Sequence, residues 1–228
     1  MSALTVPLIA GGLTLVLSLA LPVAVRPLLM RLGIMDVPNE RSSHERPVLR
    51  GLGLAVLIAM AAGFLCALLP PGGGASPALW IVAGASVLSG LLGLSEDLKG
   101  VSVPVRSVLL LGIALAGSAL LVWLPPAGGA GAGGARAWVG GLPFIVQALL
   151  VVYGVLFVSS YINVANFMDG LNGISGFHGA IAGATFAAAG ALAGLPWLVA
   201  AGLVLAAGFA GFLPWNLTRP GAFLGDVD

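Results

Sequence analysis

Charge is missing from most of this 228-residue chain. No Asp, Glu, Lys or Arg occurs from Gly51 to Ser95 or from Gly170 to Thr218, runs of 45 and 49 residues. The same holds for the 29 residues Ser107–Ala135 and the 32 residues Ala137–Met168. Such stretches cannot wrap a soluble core in a hydrated surface. Charged residues make up 7% of the chain and hydrophobic residues 59%, where a soluble domain carries about 25% charged residues. A soluble enzyme is excluded, and the fold class that remains is all-α, a polytopic helix bundle in a membrane. A net charge of +1 also excludes a nucleic-acid binder, whose affinity rests on a basic surface. The one cysteine, Cys66, lies in an apolar run and supports neither a disulfide framework nor a thiolate metal site.

A spanning helix takes about 20 apolar residues, so each of the two longest runs should hold two. Breakers stand where that demands: Pro70, Pro71 and Gly72 to Gly74 in one, Gly194 and Pro196 in the other. The predicted spans are 3–25, 52–70, 77–95, 107–124, 143–162, 174–193 and 196–213, about seven helices in a single transmembrane domain over 1–228. The first is too long, and too directly followed by a second span, for a cleaved signal peptide. Alternation puts the loops 26–51, 96–106, 163–173 and 214–228 on one side, with eight of the nine Lys and Arg residues; Arg136 alone is opposite. Excess Lys and Arg marks the cytoplasmic side, so the N-terminus is expected outside. All eight carboxylates fall on the cytoplasmic side too, which that rule does not explain. The outer segments are short or, like 127–135, Gly/Ala spacers.

The polar residues of that side gather in four places. Between Asp36 and Gly51, Arg41, His44, Arg46 and Arg50 are dense donors in a loop shaped by Pro38 and Pro47. Guanidinium forks match phosphate oxygens, although a solvated basic loop would look similar. Glu96 and Asp97 are adjacent acids at the end of an uncharged span. They repel and lose solvation unless a cation or substrate compensates, and such a pair suits a metal–diphosphate site, one group for charge and one for proton transfer. Asp169 is the only charge from Ala137 to Thr218, and an ionisable group so flanked marks a functional site. On a helix Asn163, Asn166 and Asp169 share a face, and Gly170, Asn172 and Gly173 turn the chain away. The last place, 212–228, sets Trp215, Asn216, Arg219, Phe223, Asp226 and Asp228 in a Pro/Gly-shaped segment; alone it would read as an interfacial anchor. Gly176, Ala180, Ala184 and Ala188 read as a helix-packing stripe, and His178 as an interior or interface residue without a chemical role.

In this order the four segments resemble the polyprenyl-phosphate N-acetylhexosamine-1-phosphate transferases, glycosyltransferase family 4. Residues 36–53 meet the family's D-x-P-x-x-R-x-x-H-x-x-P-x-P-R-G-x-G pattern except at Leu49. Residues 93–97 nearly meet G-x-x-D-D, with Glu96 as the first acid. Residues 163–173 meet N-x-x-N-x-x-D-G-x-(D/N)-G, with Asn172 where many members carry an acid, and residues 215–226 meet W-N followed by F-x-G-D.

The resemblance implies transfer of a sugar 1-phosphate from a UDP-N-acetylhexosamine to a polyprenyl (undecaprenyl) phosphate. The products would be polyprenyl-diphosphate-sugar and UMP, in the first membrane step of cell-wall or surface-polysaccharide synthesis at a bacterial inner membrane. It implies Mg²⁺, or Mn²⁺ in its place, on Asp226 with Asp97 or Asp169. Catalytic roles fall to Glu96, Asp97, Asp169 and Asp226, with Glu96 or Asp97 orienting or deprotonating the lipid phosphate. His44, Arg46 and Arg50 would hold phosphates, Asn166, Asp169 and Asn216 would line the nucleotide site, Asn163 and Asn172 would also bind substrate, and Phe223 would stack on uracil. The polyprenyl tail would lie in an apolar groove between helices. The partners are then the lipid phosphate, the nucleotide sugar and the bilayer, with no nucleic acid and a homodimer left open. Members of the family continue through further helices and a His-containing cytoplasmic loop, so the chain is expected to be an N-terminal part, or an inactive truncated remnant. A transporter is the alternative from composition, but its polar groups are expected near mid-membrane, whereas every carboxylate here falls at a helix end or in a loop.

Overall fold

The computed structural model of the protein describes residues 4–36, 48–69, 76–124, 139–168, 172–217 and 222–225. Among them are seven long helices: α1 (Thr5–Arg31), α2 (Gly53–Leu68), α3 (Pro77–Lys99), α4 (Val103–Trp123), α5 (Phe144–Met168), α6 (Ile174–Leu192) and α7 (Pro196–Leu217). Strands β1 (Met35–Asp36) and β2 (Val48–Leu49) pair antiparallel over two residues each, and Leu49 bridges to Ala222. The all-α class stands.

The helices follow the apolar runs and then overrun them. α3 begins where Ser76 Oγ accepts a hydrogen bond from the Ala78 amide at 3.3 Å and Pro77 takes the first helical position, two ordinary start signals. It continues through Glu96 and Asp97 to Lys99. α5 likewise continues through Asn163 and Asn166 to Met168. No Pro or Gly interrupts either extension, so most of what the sequence reading assigned to the loops 96–106 and 163–173 is helix. Those polar side chains therefore ride on rigid turns.

Five of the helices, α1, α3, α4, α5 and α7, are long and apolar enough to cross a membrane, and α2 is a shorter apolar helix. The chain is a multi-pass membrane protein. In α4 and α5 only Leu110, Ala114 and Val151 are buried. Both helices turn apolar side chains outward nearly all round, a surface suited to lipid.

α6 and α7 make the most extensive helix pair, with α1 laid against α7 and α2; α3, α4 and α5 follow in succession, and α5 meets α6 only sparsely. Glycine lets the α6–α7 backbones approach. A β-carbon on Gly183 would collide with the Ala206 amide, and one on Gly202 with the Ala187 amide. The buried face of α6 runs Gly176, Gly179, Gly183, Ala187 and Gly190, while Ala184 and Ala188 are exposed. This corrects the strict four-residue stripe read from the sequence. Each four-residue step turns about 40° past a full revolution, so such a row walks off the contact. The hydroxyl of Ser18 donates to the Gly208 carbonyl at 2.5 Å and ties α1 to α7.

Two apolar clusters hold the ends. One joins Ala10, Phe64, Leu68, Leu79 and Val204. The other joins Leu29, Leu49, Leu52, Val56, Phe212 and Leu224. This second cluster draws β2 and the segment 222–225 down onto the helix ends and so positions the polar residues above it.

Candidate active site

Glu96 and Asp97 occupy the last turns of α3, and Arg106 the first turn or so of α4. Each charge sits at the helix end that the backbone dipole disfavours, so each needs a partner. Arg50 Nε lies 3.1 Å from Asp97 Oδ1. Arg106 Nη1 donates to Glu96 Oε1 at 2.6 Å, and its Nη2 donates to Asn163 Oδ1 at 3.4 Å. One guanidinium thus fastens α3 to α4 and α5. Asn163 Nδ2 in turn donates to the Ser159 carbonyl at 2.7 Å. The Glu96 Oε2 atom is buried and has no hydrogen-bond partner among the described residues.

Asp97 is enclosed: its side chain is 1% exposed, against 38% for Arg50. Two glycines make that burial feasible. Gly51 and Gly225 have φ of +85° and +80°, a conformation that side-chain-bearing residues rarely adopt. A β-carbon on Gly225 would collide with Asp97 Oδ2 and come within 2.9 Å of the Gly51 amide nitrogen. The segment 222–225 forms a strap over this point. Phe223 N donates to the Leu49 carbonyl at 3.0 Å, Leu52 N to the Phe223 carbonyl at 3.2 Å, and Gly53 N to the Leu224 carbonyl at 2.9 Å.

Asn216 anchors the strap from the other side. It is fully buried; its Oδ1 accepts from the Gly173 amide, and its Nδ2 donates to the Ala222 carbonyl at 2.9 Å. The turn before α6, the end of α7 and the strap are held by this one side chain. Trp215 beside it donates from Nε1 to the Leu19 carbonyl at 3.1 Å.

Of the residues singled out from the sequence, Arg50, Glu96, Asp97, Asn163, Asn216 and Phe223 are brought to this one end of the bundle. Phe223 is 4% exposed, so the ring expected to stack on uracil is packed inward here. Asn166 lies one turn beyond Asn163 on α5, partly buried, and Asn172 is exposed in the turn before α6. His44, Arg46, Asp169 and Asp226 lie outside the described residues. Among the described residues no group of three or more His, Cys, Asp or Glu could hold a metal ion. Sequence reasoning missed Arg106 as a site residue. Its signal was a lone cation just inside the start of an apolar helix, where the dipole makes it unwelcome.

The profile of glycosyl transferase family 4 matches residues 79–228, about two-thirds of the chain. The chain belongs to this family. Within the family 4 match fall the Glu96–Asp97 pair, the Asn163–Gly173 segment and the strap. The segment 36–53 precedes it, yet Arg50 of that segment pairs with Asp97, and a β-carbon on Gly51 would reach the same acid. A sequence search of curated proteins returned no match. As a family 4 member the chain is a membrane-embedded transferase, and Glu96 and Asp97 sit at a helix end rather than at mid-span.

Proposed function

We propose that this end of the bundle transfers a sugar 1-phosphate from a UDP-N-acetylhexosamine to a polyprenyl phosphate, releasing UMP, on the cytoplasmic face of a bacterial inner membrane. The observation that carries the reading is the convergence of Arg50, Glu96, Asp97, Arg106 and Asn163 at one end of the bundle, where Asp97 lies against a glycine strap that leads directly to Asp226 in the chain. Two anions must meet in this reaction. An oxygen of the lipid phosphate bonds to the sugar-side phosphorus, the bond from that phosphorus to the bridging oxygen breaks, and UMP leaves with the electron pair.

Each residue has a role that follows from its position. Arg50 is the more exposed partner of its pair and can present guanidinium hydrogens to a diphosphate while its Nε stays near Asp97. Arg106 fixes Glu96, which then orients the lipid phosphate or takes its proton. A phosphate monoester has a second pKa of about 6, so proton removal contributes modestly near neutrality. Asn216 acts by positioning, holding the strap that carries Phe223 and precedes Asp226. A divalent cation such as Mg²⁺ would be held by Asp97, which is enclosed next to the strap, with Asp226, the residue after Gly225 in the chain, and Asp169 as further oxygen donors. Glu96 Oε2, buried without a partner among the described residues, is an oxygen still to be satisfied beside Asp97 in the sequence. When bound, such a cation neutralises the diphosphate.

The test is UMP release from membranes carrying the protein, with UDP-N-acetylhexosamine and polyprenyl phosphate supplied. Asp97→Ala and Asp226→Ala should each lose about 10²–10³ in rate, the usual cost of one well-placed electrostatic group. Asp226→Asn should fail nearly as badly, because it keeps shape and loses charge. Near-wild-type release from both alanine variants would end the reading.

A further inference from the structure

A cavity of about 380 Å³ lies inside the bundle among α2 to α7. Its walls are apolar, with Leu57, Met60, Leu121 and Phe209 among them, and Leu224 closes the end where the neighbouring Gly225 meets Asp97. No Asp, Glu, Lys or Arg lines it among the described residues. Besides serines on α3 and α4, its polar lining is one cluster, Tyr161 of α5 with Ser175 and His178 of α6.

That cluster stands at the thinnest wall. α5 and α6 touch sparsely, and across their seam Tyr161 Oη and His178 Nε2 share a hydrogen bond of 2.5 Å. Tyr161 is 40% exposed while also lining the cavity, so the pair stands where the cavity meets the α5–α6 seam. Tyr153, Phe157 and Tyr161 stack along α5 with centroids 6.0 and 5.9 Å apart and lead to the seam. Just within, Ser175 is 7% exposed and its Oγ is buried with no hydrogen-bond partner among the described residues. A buried hydroxyl in that state is costly until an acceptor arrives.

We propose that Tyr161, Ser175 and His178 bind the phosphate head of the lipid acceptor, a long-chain prenyl monophosphate that comes in sideways between α5 and α6. This rests on the transferase reading above. Ser175 and His178, three residues apart, share a face of α6, and Tyr161 faces them across the seam. All three can donate to a phosphate oxygen, and among the described residues no carboxylate lines the cavity to repel one. The prenyl chain finds the apolar cavity. The head has a short way to go: His178 is five residues from the Gly173 turn that Asn216 joins to the strap, about 7.5 Å along the α6 axis.

The experiment measures equilibrium binding to the chain in zwitterionic-lipid nanodiscs with three probes: geranylgeranyl monophosphate, geranylgeraniol and inorganic phosphate. The wild type should bind the monophosphate at least about tenfold more tightly than the alcohol, and millimolar inorganic phosphate should not displace it. The Ser175→Ala/His178→Leu double variant and Tyr161→Phe should lose most of that preference while binding the alcohol as before. His178→Gln keeps an N–H donor and should retain most of it, which a purely structural histidine would not require. Unchanged preference in the double variant, equal weakening of alcohol and ester, or displacement by inorganic phosphate would each overturn the site. UMP release with His178-independent lipid binding would overturn this site alone. His178-dependent binding without UMP release would overturn the transferase reading alone.

Discussion

Gly225 has φ +80°, and the space a β-carbon would occupy is filled by Asp97 Oδ2. Gly225→Ala should therefore strain the strap backbone by about 1–2 kcal/mol and also push the buried acid off its seat. Gly194 supplies the control. Its φ is +64°, but nothing lies within 4 Å of its missing β-carbon, so Gly194→Ala carries the backbone strain alone. Gly225→Ala should lose at least about tenfold in UMP release, given what single electrostatic groups contribute, while Gly194→Ala stays near wild type. Equal losses would trace the defect to backbone strain. Arg106 invites a second comparison, because its two nitrogens reach Glu96 and Asn163 together. A lysine ammonium is a point charge without the planar fork. Arg106→Lys should therefore keep the bundle folded and lose about tenfold in rate, and Arg106→Met about 10²–10³. Full activity in Arg106→Lys would show that the fork is not needed. The acids were legible in the sequence because two adjacent charges after a long apolar span demand compensation. Arg106 was not, because its partners are 10 and 57 residues away and only the fold brings them together.

At the scale of elements, the helices were readable because the charge-free runs exceed a membrane span and are cut by Pro and Gly. Helix ends were less so: the polar turns after the apolar part of α3 and α5 lack breakers, and helical hydrogen bonding simply continues through them. Which face of α6 is buried was misread, since composition shows small residues on several faces and only the partner's position selects among them. That selection can be measured. Gly183→Val places side-chain atoms against the Ala206 amide and the Gly202 carbonyl, overpacking that typically costs about 1–3 kcal/mol. Ala184→Val, one residue on, is on the exposed side. In detergent, Gly183→Val should lower the unfolding temperature by several degrees and Ala184→Val should leave it unchanged. The opposite order would mean that the α6–α7 contact is built on the other face.

For the whole molecule, the ends of α1 and α3, the start of α4 and the strap share one end of the bundle, through the Arg50–Asp97 and Arg106–Glu96 pairs and the bonds from 222–225 to Leu49, Leu52 and Gly53. The charge pattern along the sequence assigned these segments to one side without any knowledge of those contacts, because alternation of apolar runs fixes the side of each connecting segment. The Lys and Arg excess, eight residues against Arg136 alone, predicts which compartment that side faces. Basic residues near span ends are retained on the cytoplasmic side, where the proposed transfer would find its nucleotide sugar. Orientation is thus open to a direct measurement that does not depend on activity. In a background with Cys66 replaced, single cysteines at Ser43 and Ser102 should resist a membrane-impermeant thiol reagent in intact cells and react once the cells are opened. A cysteine at Ala130, in the Gly/Ala spacer beside Arg136, should react in intact cells. Labelling of Ser102→Cys from outside would reverse the orientation and place Glu96, Asp97 and Arg106 away from the nucleotide pool. No rearrangement of side chains would then restore the proposed transfer.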